Sequence, residues 1–369
     1  MTEKQFPILD NRQYHPERAE RVEGSTFANP DVLILGAGAA GLFCAARAGQ
    51  RGRSVVVLER NPVVAEKVRI SGGGRCNFTN RDAGPSAFLS ENPDFCRSAL
   101  ARYTASDFIH LVEKHGIPYH EKKLGQLFCD DSSRRIIDLL LAECREGNVQ
   151  VKTGVEVTAV RRTTDFEVET SAGTFHAPAL VVATGGLSIP KLGATDLGYR
   201  IAEQFGVRIV PPRPGLVPFR LETDGGRKFS ELAGVSLDAR VECGGGSFRE
   251  NILFTHRGLS GPAILQASSY WREGEPITID LIPDVKSLIP DTRYLIPSPP
   301  SPTPNPLLSS SLSTLFPSRF VSWWLPQELQ RTPIRSLSPR QVSELEQSLR
   351  SWTLRPSETE GFAKAEVTV

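Results

Sequence analysis

The stretch that most constrains this chain is residues 31–60, DVLILGAGAAGLFCAARAGQRGRSVVVLER. Four apolar residues, Val32 to Leu35, predict a buried parallel strand. Gly36, Gly38 and Gly41 follow in GxGxxG spacing, residues 42–50 read as a helix, and residues 54–58 as a second strand. Each glycine has a mechanical task. Gly36 makes the tight turn, Gly38 lets backbone approach a pyrophosphate, and Gly41 lets helix and strand pack closely. Ala39 and Ala40 then lie at the helix start, whose free N–H groups and partial positive charge suit phosphate. Glu59, 23 residues after Gly36 and followed by Arg60, is placed to accept hydrogen bonds from an adenosine ribose. Strand, helix and acid are all present, which separates this stretch from a glycine turn without a ligand.

A chain of 369 residues has room for two or three domains. With 43 basic and 42 acidic residues its net charge is +1, from which we expect no nucleic-acid and no membrane-surface partner. No apolar run reaches the length of a membrane span. Residues 1–30 are polar, mix Arg12, Arg18 and Arg21 with several acids, and carry no apolar core of a signal segment; they read as an extension. The six cysteines form no CxxC pair and no zinc spacing, so we expect reduced thiols, a cytoplasmic location and no metal.

After Arg60 comes EKVRISGGGRCNFTN, residues 66–80. Its three glycines exclude a helix or a comfortable strand interior, and their N–H groups can form an anion-binding concavity. Lys67 precedes them and Arg75 follows, which favours a ligand over a plain surface loop. Residues 95–116 have helical spacing, residues 117–121 and 126–129 read as short strands, and residues 132–144 as a capped helix. Strands around a turn at Gly154 and a hairpin over 166–176 return the chain to ALVVATGG, residues 179–186. This is a core strand whose glycine end suits something flat or anionic. A helix over 198–205 closes the first domain, residues 31–209.

Prolines 211, 212, 214 and 218 mark a boundary. Residues 210–360 read as an inserted domain: β-rich to 285, a linker over 290–306 with seven prolines, then helices over 307–352, the first interrupted at Pro317. Within it, Thr255, His256 and Ser260 share a glycine-rich turn and are the catalytic candidates, although no partner nearby completes a triad. Residues 361–369 return to the first domain, and 362–369 read as a strand.

These motifs resemble a bacterial family of NAD(P)/FAD-dependent oxidoreductases, aminoacetone-oxidase-like and including bile-acid dehydro-reductases. They are GAGAAGL at 36–42, ISGGGRCNFTN at 70–80, ATGGLSIPKLGATDLGY at 183–199, FTHRGLSGPAIL at 254–265 and GFAKAEVTV at 361–369. The resemblance implies an α/β fold: a Rossmann-like FAD-binding domain with an inserted antiparallel β-barrel-like plus helical domain. It implies FAD with its ribose on Glu59 and its pyrophosphate over residues 36–41. Ser71, Gly72, Gly73, Gly74, Arg75, Cys76 and Asn77 would embrace the flavin side, the backbone at Val157 would meet the adenine, and Thr184, Gly185 and Gly186 would lie close by. Family members continue past the position of Val369 through a glycine-rich return to the flavin, so a truncated chain is expected to hold FAD weakly.

The expected function is hydride transfer between FAD and a small organic molecule, with the redox chemistry belonging to the cofactor. No second GxGxxG appears, so NAD(P)H would visit the flavin directly as a transient donor. An NAD(P)-dependent dehydrogenase lacks a catalytic Tyr–Lys or His–Asp pair here and leaves SGGGRCN without a task. A non-catalytic or degenerate flavin-binding protein is the alternative from another class.

Overall fold

A computed structural model describes residues 29–285 and 305–369; the extension expected before residue 29 and the proline-rich linker as far as residue 304 lie outside them. The first domain opens with β1 (Val32–Leu35), α1 (Ala39–Gln50) and β2 (Val55–Leu58). An excursion follows through α2 (Glu66–Gly74), β3 (Asn77–Asn80), α3 (Arg97–Arg102), α4 (Ala105–Lys114), β4 (Tyr119–Glu121) and β5 (Gln126–Cys129). The chain continues as α5 (Arg134–Glu146), β6 (Gln150–Lys152) and a meander, β7 (Val157–Arg162), β8 (Phe166–Thr170) and β9 (Gly173–Ala177). It then enters β10 (Ala179–Val182) and α6 (Leu197–Gln204).

Strands β10, β1, β2 and β6 lie side by side in that order and are parallel. Because side chains alternate across a strand, β1 and β2 feed two cores. Ile34, Val55 and Val57 pack with Leu42, Ala45 and Ala46 of α1 and Leu139 and Leu140 of α5. Leu33, Leu35, Val56 and Leu58 pack on the other side with Val160, Val168 and Phe175 of the meander and Ile201 of α6. Apolar residues at consecutive positions of β1 therefore have burial on both faces.

The helix expected over 95–116 is two helices. Tyr103 is extended, and Thr104 caps α4, its hydroxyl accepting from the Asp107 N–H while the Asp107 carboxylate accepts from the Thr104 N–H. That reciprocal pair makes a new start cheaper than a continuous helix. The loop expected at 66–80 begins as helix instead. Ser71 to Gly74 leave helical geometry, with φ of +57°, +67° and +85° at the three glycines.

The second domain is built on a seven-stranded antiparallel sheet. Its order is Trp352–Leu354, Ile277–Asp280, Ser236–Cys243, Gly246–Thr255, Gly258–Ser260, Phe219–Arg220 and Glu358–Thr359. Helices Leu308–Leu312 and Ser318–Trp324 stand either side of Pro317, as the sequence predicts. Phe229, Phe254, Phe320, Trp323 and Trp352 form one ring cluster in its core, with neighbouring centroids 5.7–6.3 Å apart. The strand expected over 362–369 is only Val367–Thr368, and it pairs with Pro214–Gly215 rather than joining the parallel sheet. Tertiary contacts still bring this segment to the first domain: the Ile189 N–H donates to the Phe362 carbonyl at 2.8 Å.

Candidate dinucleotide site

The three glycines after β1 behave differently when a side chain is imagined on each. At Gly36, φ is +101° and a Cβ would lie 2.5 Å from the Ala183 carbonyl oxygen, so strand β10 closes over the turn. At Gly41 a Cβ would strike the Gly36 carbonyl group, which is the close helix–strand approach. At Gly38 a Cβ would meet nothing within 4 Å. Gly38 is thus not required by packing, and the space it leaves open adjoins the start of α1, where Ala39 and Ala40 are exposed. A 12-residue helix leaves its first N–H groups without intrahelical partners, and no side chain caps this one. The arrangement can receive an anionic group against bare backbone.

Glu59, at the end of β2, holds the turn from below. Its carboxylate accepts from the Ala37 N–H at 2.7 Å and from the Asn61 N–H at 2.8 Å. A carboxylate has about four acceptor positions, so capacity for ribose hydroxyls remains. The following segment comes alongside, with the Val155 N–H donating to the Glu59 carbonyl at 2.9 Å, and Val157 begins β7 just beyond. Arg60 points away to an exposed pairing with Glu156 at 3.7 Å.

In the second glycine loop, Gly72 is packed: a Cβ there would sit 2.7 Å from Phe128. Gly73 and Gly74 face open space, with φ of +67° and +85°. Arg75 and Asn77 are exposed, whereas Cys76 is buried and burial pushes its thiol above the usual range, Ser71 only partly offsetting this. Lys67 of α2 does not join this loop. Its ammonium reaches the buried Ser188 hydroxyl; burial pulls its pKa down, and the nearby Glu366 carboxylate partly restores it.

Lys67 and Ser188 border an open cavity of about 540 Å³, shared with Thr184, Gly185, Gly186, Tyr199 and Thr368. Thr184 connects it to the dinucleotide turn, since its Cα would be 3.1 Å from a Cβ at Gly36. Gly185 is open, while a Cβ at Gly186 would collide with Thr368. The Ser188 N–H donates to the Thr368 hydroxyl at 3.2 Å. Ser188 and Thr368 escaped the sequence reading because they lie 180 residues apart and no local pattern joins them.

Thr255, His256 and Ser260 are not brought to this site by any hydrogen bond among the described residues. Thr255 closes a hairpin turn, accepting from the Arg257 N–H at 3.2 Å and donating to the Gly258 carbonyl at 3.3 Å. His256 is exposed at the hairpin tip, and Ser260 pairs with Leu253 in the barrel sheet. The glycine-rich sequence there serves the barrel: a Cβ at Gly258 would clash with the Phe219 carbonyl and Leu221 N–H, and one at Gly261 with Asn251 and Leu253 backbone. No cluster of metal-binding side chains is present among the described residues, nor is any helix there long and apolar enough to cross a membrane.

A parallel sheet, a glycine turn opening onto a helix start and an acid closing the second strand define a Rossmann-type dinucleotide-binding protein, here joined to a barrel-like domain. Residues 30–245 match the HI0933-like protein Rossmann domain, and residues 213–367 the HI0933-like protein barrel and H2TH domain. The chain belongs to this HI0933-like family. It is 47% identical to the ribosomal RNA dihydrouridine synthase of Escherichia coli, over 92% of this chain and 84% of that protein. Its identity to the Haemophilus influenzae protein of the same name is 43%, over 91% and 84%. The 3-dehydro-bile acid delta(4,6)-reductase of Clostridium scindens is 25% identical, over 91% and 85%.

These relatives correct two expectations. The bile-acid link holds only at a distance, and the aminoacetone-oxidase name is not the one they carry. The exclusion of nucleic acid also fails, because two relatives above 40% identity are named for ribosomal RNA. Net charge was the wrong quantity, since it sums the whole surface and hides any local excess of cations.

Proposed function

We propose that this chain is an FAD-dependent reductase that saturates the C5–C6 double bond of a uridine in ribosomal RNA. The observation that carries the reading is 47% identity to a protein named for that reaction, sustained over 92% of this chain. The bile-acid relative is named for reducing a carbon–carbon double bond, which fits the same reaction class on another substrate. The residues present fit the cofactor. Gly38 leaves backbone bare for the pyrophosphate, α1 directs its N-terminus there, and Glu59 retains acceptor capacity for the ribose.

In this reaction a hydride adds at C6, the electron pair of the double bond moves toward the C4 carbonyl, and a proton is delivered at C5. Bound FAD, once reduced by NAD(P)H from solution, would supply the hydride. The chain's own part is to hold the pyrophosphate at residues 36–41, to fix the adenosine against Glu59 and to line the second glycine loop with the open backbone of Gly73 and Gly74.

The test is to incubate purified chain, FAD and NADPH with ribosomal RNA and to analyse its nucleosides by mass spectrometry. We expect one uridine to gain two hydrogens. RNA recovered unchanged under conditions in which the flavin is visibly reduced would overturn the RNA substrate.

A further inference from the structure

We infer that the hairpin tip between β4 and β5, with neighbouring cations around the second glycine loop, is the surface that grips the phosphate backbone of the RNA substrate. The inference rests on the RNA reading above and names the residues that would carry it.

The cations converge on one loop. Arg75 follows the three glycines, and its carbonyl accepts from the Cys129 N–H of β5 at 3.0 Å. Phe128, next to Cys129, packs against Gly72, and the Lys122 ammonium stands 3.8 Å over the Phe128 ring. Lys123 follows at the tip. From the other side, the Ser133 N–H donates to the Gly74 carbonyl at 2.7 Å, which brings Arg134, the first residue of α5, to the same loop. Arg75, Lys122, Lys123 and Arg134 are all exposed.

Apart from Asp82 beside Gly125 and Asp138 one turn after Arg134 on α5, the acids nearby are already engaged. Glu66 pairs with Arg69, Glu121 with Arg81, Asp131 with Arg135, and Asp130 with His120. Arg75, Lys122, Lys123 and Arg134 have no carboxylate partner among the described residues, and this local surplus exists on a chain of net charge +1. Unpaired cations borne by segments that meet at one loop suit the charge of a nucleic-acid backbone.

The tip is also built to be rigid. The Asn80 amide donates to the Leu124 carbonyl at 2.7 Å, the Arg81 N–H to the Gly125 carbonyl at 2.9 Å, and the Lys122 N–H to the Gln126 carbonyl at 2.8 Å. These bonds hold Leu124 at φ +58° with 60% of its surface exposed. A leucine in the left-handed region, exposed next to Lys123, has no folding purpose visible in its contacts. Such strain accumulates where a surface is used. Leucine there offers an apolar face to a base or sugar while the lysines hold phosphates.

The experiment measures binding of purified ribosomal RNA to the full chain by filter retention across a salt series. It compares wild type with Lys122→Glu/Lys123→Glu/Arg134→Glu, and with Lys122→Arg/Lys123→Arg as the charge-conserving control. None of these residues belongs to the dinucleotide turn, and circular dichroism checks the fold. We expect the reversed variant to bind about tenfold or more weakly, with a salt slope shallower by about 2–3, and the arginine variant to bind like wild type. A folded reversed variant with unchanged affinity and slope would overturn this surface and leave the RNA reading standing. Wild type that fails to bind RNA would overturn both. If the reversed variant fails to fold, Leu124→Ser with Lys123→Gln repeats the comparison with a milder change, and unchanged affinity there has the same meaning.

Discussion

A Cβ at Gly41 would fall on the carbonyl oxygen of Gly36 and 3.0 Å from its carbonyl carbon. Backbone on one side and backbone on the other leave no flexible side chain to yield. Gly41→Ala therefore forces α1 away from β1, and overpacking of this kind costs about 3 kcal/mol. Urea unfolding should show the loss as a lower midpoint, whether or not cofactor is added.

Gly38→Ala should do the reverse. Nothing lies within 4 Å of its Cβ, and its φ of −77° suits alanine. Stability should change by less than about 1 kcal/mol, while FAD affinity, read by flavin fluorescence titration, should fall about tenfold, equivalent to about 1.4 kcal/mol. Unchanged flavin affinity would remove the pyrophosphate from this turn.

Gly73→Val tests the second glycine loop. Space is open around the Cβ, but φ is +67°, a region that a β-branched residue resists. Gly73 itself lies outside the two cores of the first domain, so circular dichroism should be preserved while bound flavin is lost on dialysis. Full flavin occupancy in the variant would make the loop a surface turn.

Glu143 of α5 ties three elements together. Its carboxylate accepts from the Gln50 amide of α1 at 2.8 Å, stands 2.8 Å from the His115 ring after α4, and lies 3.7 Å from Lys114. Burial alone would push the carboxyl up; the hydrogen bonds from Gln50 and His115, with the Lys114 charge, outweigh it and hold it below the ordinary 4.5. The stability this contributes is complete above pH 4.5 and is lost as pH falls through the lower folded value, where the unfolded chain binds more protons. Glu143→Ala should cost about 2 kcal/mol at pH 7. It should also flatten the fall in stability below pH 4.5, followed by urea titration at several pH values.

Thiol reactivity should divide the cysteines. Cys129 is pushed up to about 12, by burial first and then by neighbouring Cys76 and the Asp131 and Asp130 charges; burial takes Cys144 and Cys243 to about 11. Because the thiolate is the nucleophile, these three should alkylate far more slowly than the half-buried Cys96 in native protein at pH 8. Peptide mass spectrometry after iodoacetamide would show this, and guanidinium should abolish the difference.

The first domain was legible because its signals are local. Val32 to Leu35 and Val55 to Leu58 announce strands by composition alone, and each glycine of the turn answers to backbone geometry within a few residues. The barrel strands and the break at Pro317 were readable for the same reason. The division of 95–116 at Thr104 turned on one capping pair that competes closely with helix continuation. His256 drew attention by its company of polar residues, yet the glycines beside it serve barrel packing, which only the fold reveals. The contact of Lys67 with Ser188, the approach of Thr368, and the gathering of Arg75, Lys122 and Arg134 around one loop all join residues distant in the chain. Sequence spacing sets what a segment can become. Which distant segments meet, and hence where charge accumulates, is decided by how sheet, helices and hairpins pack.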